Sequence, residues 1–344
     1  MTKYQFCIRF QNTTVNSAAT KAVEDCNKIF SELGYIDYTI IVWDNENKFK
    51  YYLLLIKELI FFFKSIQKGS IIVIQYPLLS INNVFRYFIK IAKLKRIKIF
   101  CIIHDLEALR SGGNNNEANR LEIKNLNYFD EVIVHNPAML GWMQQHGFKK
   151  KAISLEIFDY LSDHPINECE AKYSNSILFA GNLRKSTFIY NVADIKGWIF
   201  NVFGPFFNLE RSHLIDNLVW LGEYSPAEIT TKLTGGFGLI WDGETVNSCD
   251  DKLGNYLKYN NPHKFSLYLA AGIPVVAPAS SALSVVIKKY GIGFLVENLK
   301  ELEKFEFSTD QYEEMRKNVL VLREKVINGY FLKAAISKVE LDLI

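Results

Sequence analysis

The feature that most constrains this chain is an alternation that runs its whole length and restarts once. Short apolar runs rich in Ile, Val and aromatic residues, namely Tyr4 to Phe10, Tyr38 to Trp43, Ser70 to Gln75, Lys98 to Ile103 and Glu131 to Val134, are separated by stretches of helical spacing such as Ala18 to Leu33 and Asn83 to Lys95. Runs apolar on both faces predict buried strands, and strands alternating with helices predict a parallel sheet covered on both sides. Glu156 to Tyr160 is expected to add a last strand. A polar segment from Ser162 to Ser174 follows, and the pattern begins again with Ser176 to Ala180, Phe200 to Phe203, Leu218 to Leu221, Gly238 to Trp241, Val275 to Ala277 and Gly293 to Val296. A closing helix from Gln311 carries Val319, Leu322, Val326 and Phe331 at a spacing that packs it back on the body.

The expected fold class is therefore α/β, with two domains in series whose parallel sheets face an interdomain cleft: residues 1–161, a linker at 162–175, and 176–344. A chain of 344 residues is long enough for two cores. With 49% hydrophobic residues and 8 prolines, long disordered spans are excluded. A formal charge of +3 argues against a dedicated nucleic-acid binder, whose charge is larger and clustered. Five scattered cysteines without a C-x-x-C pair fit reduced thiols in a cytoplasm. Met1 to Phe10 alternates like a strand and does not read as a signal peptide, and the apolar stretch Tyr51 to Phe63 is interrupted by Lys57 and Glu58 and is too short to span a bilayer.

Open parallel sheets bind ligands beyond the carboxyl ends of their strands, so the residues there carry the functional expectations. In the stretch Phe237 to Pro278, Asn260, Asn261, Pro262, His263 and Lys264 turn a strand into a helix. Asn261 suits the N-cap and Pro262 the first helical position, while Gly272 and Pro274 end the helix. Free amides, the positive dipole end and the Lys264 ammonium then meet at one spot, which suits a phosphate. Ser176 to Ala180 runs into Gly181, Asn182, Leu183, Arg184 and Lys185. There Arg184 can grip two phosphate oxygens with its planar fork and Lys185 offers a point charge. Tyr224, after the strand Leu218 to Leu221, can stack on a nucleobase or simply pack. Asp242, Glu244, Asp250 and Asp251 lie in a long polar loop before the turn.

In the first half, His104, Asp105, Glu107 and Arg110 follow the fourth strand, and a His with two carboxylates at a strand end can supply a general base. Asp105 is the first choice and His104 the second, with Glu107 and Arg110 on the acceptor side. His135, Asn136 and Pro137 read as an ordinary helix cap. Arg86, Lys90, Lys93, Lys95, Arg96 and Lys98 alternate with apolar residues. That helix either meets an anionic membrane or covers the sheet with its charges solvated.

The segments HDLEALRSGG from His104, VIVHNPAM from Val132, EIFDYL from Glu156, FAGNL from Phe179, FGLIWDGETVNSC from Phe237 and GNYLKYNNPHKFSLYLAAGIPV from Gly254 resemble the bacterial two-domain GT-B glycosyltransferases that assemble O-antigen, most closely the β-1,6-galactofuranosyltransferases. A related branch comprises glucosyltransferases that extend glycans on streptococcal serine-rich adhesins. The resemblance implies two Rossmann-like domains and a UDP-sugar donor held mainly by the second, with Arg184, Asn261 and Lys264 binding it and Asn182 and Tyr256 close by; Lys185, Tyr224, Asp242 and Asn260 are counted with the expected donor-binding residues. It implies transfer of galactofuranose to a glycan acceptor, lipid-linked, with inversion and with neither cofactor nor metal ion, by an enzyme in the cytoplasm at the inner face of the membrane. Asp242, Gly243, Glu244 only superficially resembles a D-x-D metal motif. Homo-oligomerisation is compatible with it. Two alternatives stay open: glucosyl transfer from UDP-glucose to a protein-linked glycan, and a non-catalytic nucleotide-sugar or glycan binding subunit.

Overall fold

In the computed structural model, which describes residues 1–10, 18–42, 48–78, 82–165 and 173–343, the predicted alternation becomes two six-stranded parallel sheets. The first contains β1 (Lys3–Phe10), β2 (Ile36–Val42), β3 (Ile71–Tyr76), β4 (Lys98–Ile103), β5 (Glu131–Val134) and β6 (Lys151–Ser154), in the order β2-β1-β3-β4-β5-β6. Its strands are joined through α1 (Ala18–Glu32), α2 (Lys48–Ser65), α3 (Asn82–Leu94), α4 (Glu107–Arg110), α5 (Asn116–Leu126) and α6 (Pro137–Gln145). The central strands are apolar on both faces because helices cover both, and every residue of β3 and β5 is buried.

The second sheet contains β7 (Ser176–Ala180), β8 (Ile199–Phe203), β9 (Leu218–Trp220), β10 (Phe237–Leu239), β11 (Val275–Pro278) and β12 (Gly293–Val296), in the order β12-β11-β10-β7-β8-β9. Its helices are α7 (Leu209–Ser212), α8 (Ile229–Lys232), α9 (Lys252–Tyr256), α10 (His263–Ala270), α11 (Leu283–Tyr290) and α12 (Thr309–Val326), with α13 (Tyr330–Leu343) at the end of the chain. Counted from β7, this is the order 3-2-1-4-5-6 of dinucleotide-binding sheets. The order reverses between β7 and β10, and the connections on either side of that point lead to opposite faces.

The chain divides into two compact units. One comprises Met1–Leu109, Gly113–Leu155 and Leu332–Ile344, the other Arg110–Gly112 and Glu156–Phe331. The expected linker region therefore falls in the second unit, and residues 166–172 within it lie outside the described residues, as does Trp43 of the second expected strand.

Three local expectations are corrected. Glu156 to Tyr160 is not a strand; the sheet ends with β6. Glu156 has φ 71, a left-handed value that breaks an extended run. Ile157, Phe158 and Tyr160 are nonetheless buried, with the Phe158 and Tyr160 rings against His263 at 6.3 and 5.1 Å. The apolar run is thus core of the second unit, not sheet. The closing helix is two helices, interrupted at Gly329 with φ 73, so Phe331 belongs to a different helix from Val319, Leu322 and Val326. Finally, α10 starts at His263 with Pro262, not Asn261, in the cap position and with no side-chain cap. Among the described residues, no helix is long and apolar enough to cross a membrane.

Candidate active site

The reversal point of the second sheet carries an ion pair between Lys264 and Asp242. Lys264, in the first turn of α10, projects its Nζ to 2.6 Å from Asp242 Oδ1 and 3.3 Å from the Trp241 carbonyl, just past β10, and 4.6 Å from the centroid of the Phe179 ring in β7. One ammonium therefore touches both strands that flank the reversal. The pair is only partly shielded, with 15% of the Lys264 and 29% of the Asp242 side chain exposed. Such a pair can be opened by a competing anion, because neither charge is locked in a dry interior.

Tyr268, one turn further along α10, anchors the arrangement. Its hydroxyl accepts from the Ala180 N–H at 2.9 Å and donates to the Leu239 carbonyl at 3.3 Å, tying the ends of β7 and β10 together. Burial raises its phenol pKa, so it remains a donor. The ring lies directly on Gly238, where a Cβ would come within 2.3 Å of Tyr268 Cγ. The glycine is what lets α10 lie this close to the sheet, and hence what sets the reach of Lys264.

Beyond β7 the loop is held by its own polar atoms. Asn182 Oδ1 accepts from the Arg184 N–H at 3.1 Å, and its carbonyl accepts from the Lys185 N–H at 3.1 Å. Gly204, with φ 135, brings the next loop so close that a Cβ there would lie 1.9 Å from the Gly181 oxygen. The Arg184 guanidinium stacks 3.9 Å from the centroid of Phe206. Stacking fixes the plane of the fork while leaving its N–H edge available. Asn182, Arg184 and Lys185 are exposed.

The remaining predicted residues of this half fall into two groups. Asn261 is 3% exposed and donates from Nδ2 to the Glu156 carbonyl at 2.9 Å. Glu156 in turn accepts from Lys289 and Tyr290 at 2.5 and 3.0 Å. Asn261 thus fastens the turn before α10 from inside. Tyr256 and Asn260 are buried beside it, joined by the Asn260 N–H to Tyr256 carbonyl bond of 3.0 Å. Tyr224 is 36% exposed, its ring 5.5 Å from the Lys232 ammonium and 6.3 Å from Phe203. Of the loop carboxylates, Asp251 caps α9 by accepting from Leu253 and Gly254, and Asp250 pairs with Lys258 at 3.2 Å. Their roles are structural.

In the first unit the cluster after β4 has a different character. His104 Nε2 lies 2.7 Å from Gln75 Oε1. Because Gln75 Nε2 donates to Asn27 Oδ1 and the Val23 carbonyl, its Oε1 is the acceptor and His104 must donate from Nε2. Burial lowers the His104 pKa to about 4, and burial with the neighbouring His104 lowers that of His135 to about 3, so both imidazoles are neutral near pH 7. Asp105 is half-buried and Glu107 exposed. Asn136 caps α6, accepting from the Met139 N–H, with Pro137 at the helix start as expected.

One residue of this cluster escaped sequence reasoning. Glu122, 7% exposed on α5, accepts from the Glu107 and Ala108 N–H groups at 2.9 Å each and from the Tyr76 hydroxyl at 3.2 Å. It clamps the segment that begins with Asp105. Burial raises its pKa against the opposing pull of these hydrogen bonds. The available signal was its spacing: Glu122 shares a helix face with Asn119, Ile123 and Leu126, all buried, and a carboxylate on an apolar face calls for partners.

Two open parallel sheets, the second with a cation at its reversal point, define the two-domain GT-B class of glycosyltransferase. The protein belongs to the glucosyltransferase 3-like family, whose N-terminal and C-terminal domain models match residues 5–157 and 177–339. It is 33% identical to the β-1,6-galactofuranosyltransferase WbbI of Escherichia coli K12 over 73% of this chain and 74% of that one. It is 26% identical to glucosyltransferase 3 of Streptococcus gordonii over 92% of each. Among solved structures, an α-glucosyltransferase in complex with UDP matches 98% of this chain and 99% of its own with TM-score 0.58 at 12% identity, a likeness of fold.

Proposed function

We propose that this glycosyltransferase moves galactofuranose from UDP-galactofuranose to a lipid-linked glycan acceptor in surface-polysaccharide synthesis, with inversion and without a metal ion. The observation that carries the reading is the half-open Lys264–Asp242 pair at the reversal of the second sheet, in a chain 33% identical to a galactofuranosyltransferase. As the bond between sugar and diphosphate breaks, negative charge grows on the leaving oxygens. Lys264, the Arg184 fork and the first amides of α10 are the groups that stabilise it. Asp242 holds the Lys264 ammonium in place until phosphate replaces it, and Asn182 holds the Arg184 loop.

A β-linked product from an α-linked donor requires attack by the acceptor hydroxyl on the face opposite the diphosphate, with a base receiving its proton. Asp105 is the assigned base. His104 is the weaker candidate, since its Nε2 donates to Gln75 and its pKa is lowered to about 4. Glu107 and Arg110 stand on the acceptor side of this scheme.

Glucosyl transfer from UDP-glucose is the second reading, favoured by the match along 92% of the chain to a glucosyltransferase 3. Thermal shifts with UDP, UDP-galactofuranose, UDP-galactopyranose and UDP-glucose separate the two, because a ligand bound to the native state raises its apparent stability. The largest shift is expected with UDP-galactofuranose; a larger one with UDP-glucose selects the second reading, and no shift with any of the four rejects both. UDP release on mixing donor and acceptor distinguishes an enzyme from a binding subunit.

A further inference from the structure

We propose that the outer face of α2 and α3 in the first unit docks on an anionic lipid bilayer. From Lys57 to Lys98 the sequence has nine Lys and Arg and one carboxylate, the half-buried Glu58 of α2. On α2, Leu54, Lys57, Phe61 and Lys64 recur at i, i+3, i+7 and i+10, so they share one side of the helix. Leu54 and Phe61 are 49% and 64% exposed there, while Leu55, Leu59 and Phe62 are buried on the other side. On α3, Tyr87, Ile91 and Leu94 recur at i, i+4 and i+7 with 55%, 50% and 84% exposure, while Phe85, Phe88 and Ile89 are buried. The helices are neighbours, with Phe63 stacked on Phe88 at 5.4 Å. Each helix already has a full apolar face against the core, so the outer one is a second apolar face, left to water.

The charges select the occupant. Lys90 lies 5.8 Å from the Tyr87 ring and Arg86 5.0 Å, placing cations beside the outer apolar row. Lys93 has Asp130 at 3.6 Å. A second copy offering the same basic face would be repelled. Lipid phosphates complement it, with Phe61, Ile91 and Leu94 entering the acyl boundary and the lysine ammonium groups remaining at headgroup level. The proposal stands on this surface alone, whichever donor the enzyme uses.

Co-sedimentation of the full chain with vesicles of phosphatidylcholine, and of phosphatidylcholine with phosphatidylglycerol, tests it. Binding is expected to the anionic vesicles only and to fall as salt rises. Replacing Lys57, Lys64 or Lys90 by Gln is expected to weaken it by about fivefold each, and F61S with L94S to abolish it. These exposed positions should leave the melting temperature, and UDP release with a water-soluble acceptor, at the wild-type level. Absent binding, equal binding to both vesicle types, or a dimer in sedimentation velocity that F61R dissociates would overturn the proposal.

Discussion

In the second unit the strand ends carry a charged pair, Lys264 and Asp242, partly open to solvent and set against an aromatic ring; in the first they carry His104, half-buried, and His135, buried, both neutral, with Gln75 and Glu122 locked into hydrogen bonds. The difference follows from what each place can do. A group that is to exchange its partner for a diphosphate must keep its charge and its access, which partial exposure provides. A group that is to hold a loop still must be desolvated, and desolvation removes the charge from an imidazole and opposes ionisation of a carboxylate. On the proposed reading, the second cluster binds and the first positions.

Lys264→Ala is the hardest blow to this contrast. It is expected to lower kcat/KM by roughly a thousandfold and to weaken UDP binding, read by UDP-release kinetics and calorimetry; the double variant with Asp242→Ala separates loss of the cation from the stranded carboxylate. Unchanged turnover together with unchanged UDP affinity would remove Lys264 from the site. Next is pH. His104 and His135 are protonated more readily in the unfolded chain, near 6.5, than in the fold, near 4 and 3. The unfolded state therefore binds more protons as pH falls from about 6.5, and stability is lost through that window, by about 3 kcal/mol for His104. Melting temperature against pH checks it, and a curve flat from pH 7 to 4 contradicts the buried, neutral assignment.

Asp105→Asn should reduce kcat by about a hundredfold with donor binding intact; full activity discards this base. Glu122→Gln places an amide NH2 where two backbone N–H groups and a phenol seek acceptors, an expected cost of about 2 kcal/mol in a denaturant titration. It should also lower kcat more than it raises the donor KM if the clamp positions Asp105. The smallest effect is expected for Arg184→Lys. The charge stays and the stacked fork is lost, for a decrease of about tenfold or less in UDP affinity. A larger loss than for Lys264→Ala would invert the ranking of the two cations.

Much of the fold is legible because periodicity is local. The bounds of β4, β5, β7 and β12 coincide with the apolar runs read from the chain. The run at Glu156 misleads because burial, not sheet pairing, accounts for its composition. The position of Asn261 misleads for a related reason: a cap is a nearby interaction, and here the amide is used by the Glu156 carbonyl, 105 residues away. Lys264 is visible as a first-turn lysine, and its carboxylate partner as one of four in a loop, but nothing local says that Asp242 pairs with it while Asp250 pairs with Lys258 and Asp251 caps α9.

The sequence by itself determined that this chain makes two parallel sheets and that cations and polar groups stand at their carboxyl ends, because strand and helix periods and strand-end residues are set within a few positions of one another. Only the tertiary structure decided the strand order, the close approach of Tyr268 to Gly238 that aims Lys264, and the clamp of Glu122 on the Asp105 segment. Those depend on groups brought together from distant parts of the chain, where geometry, not spacing, chooses the partner.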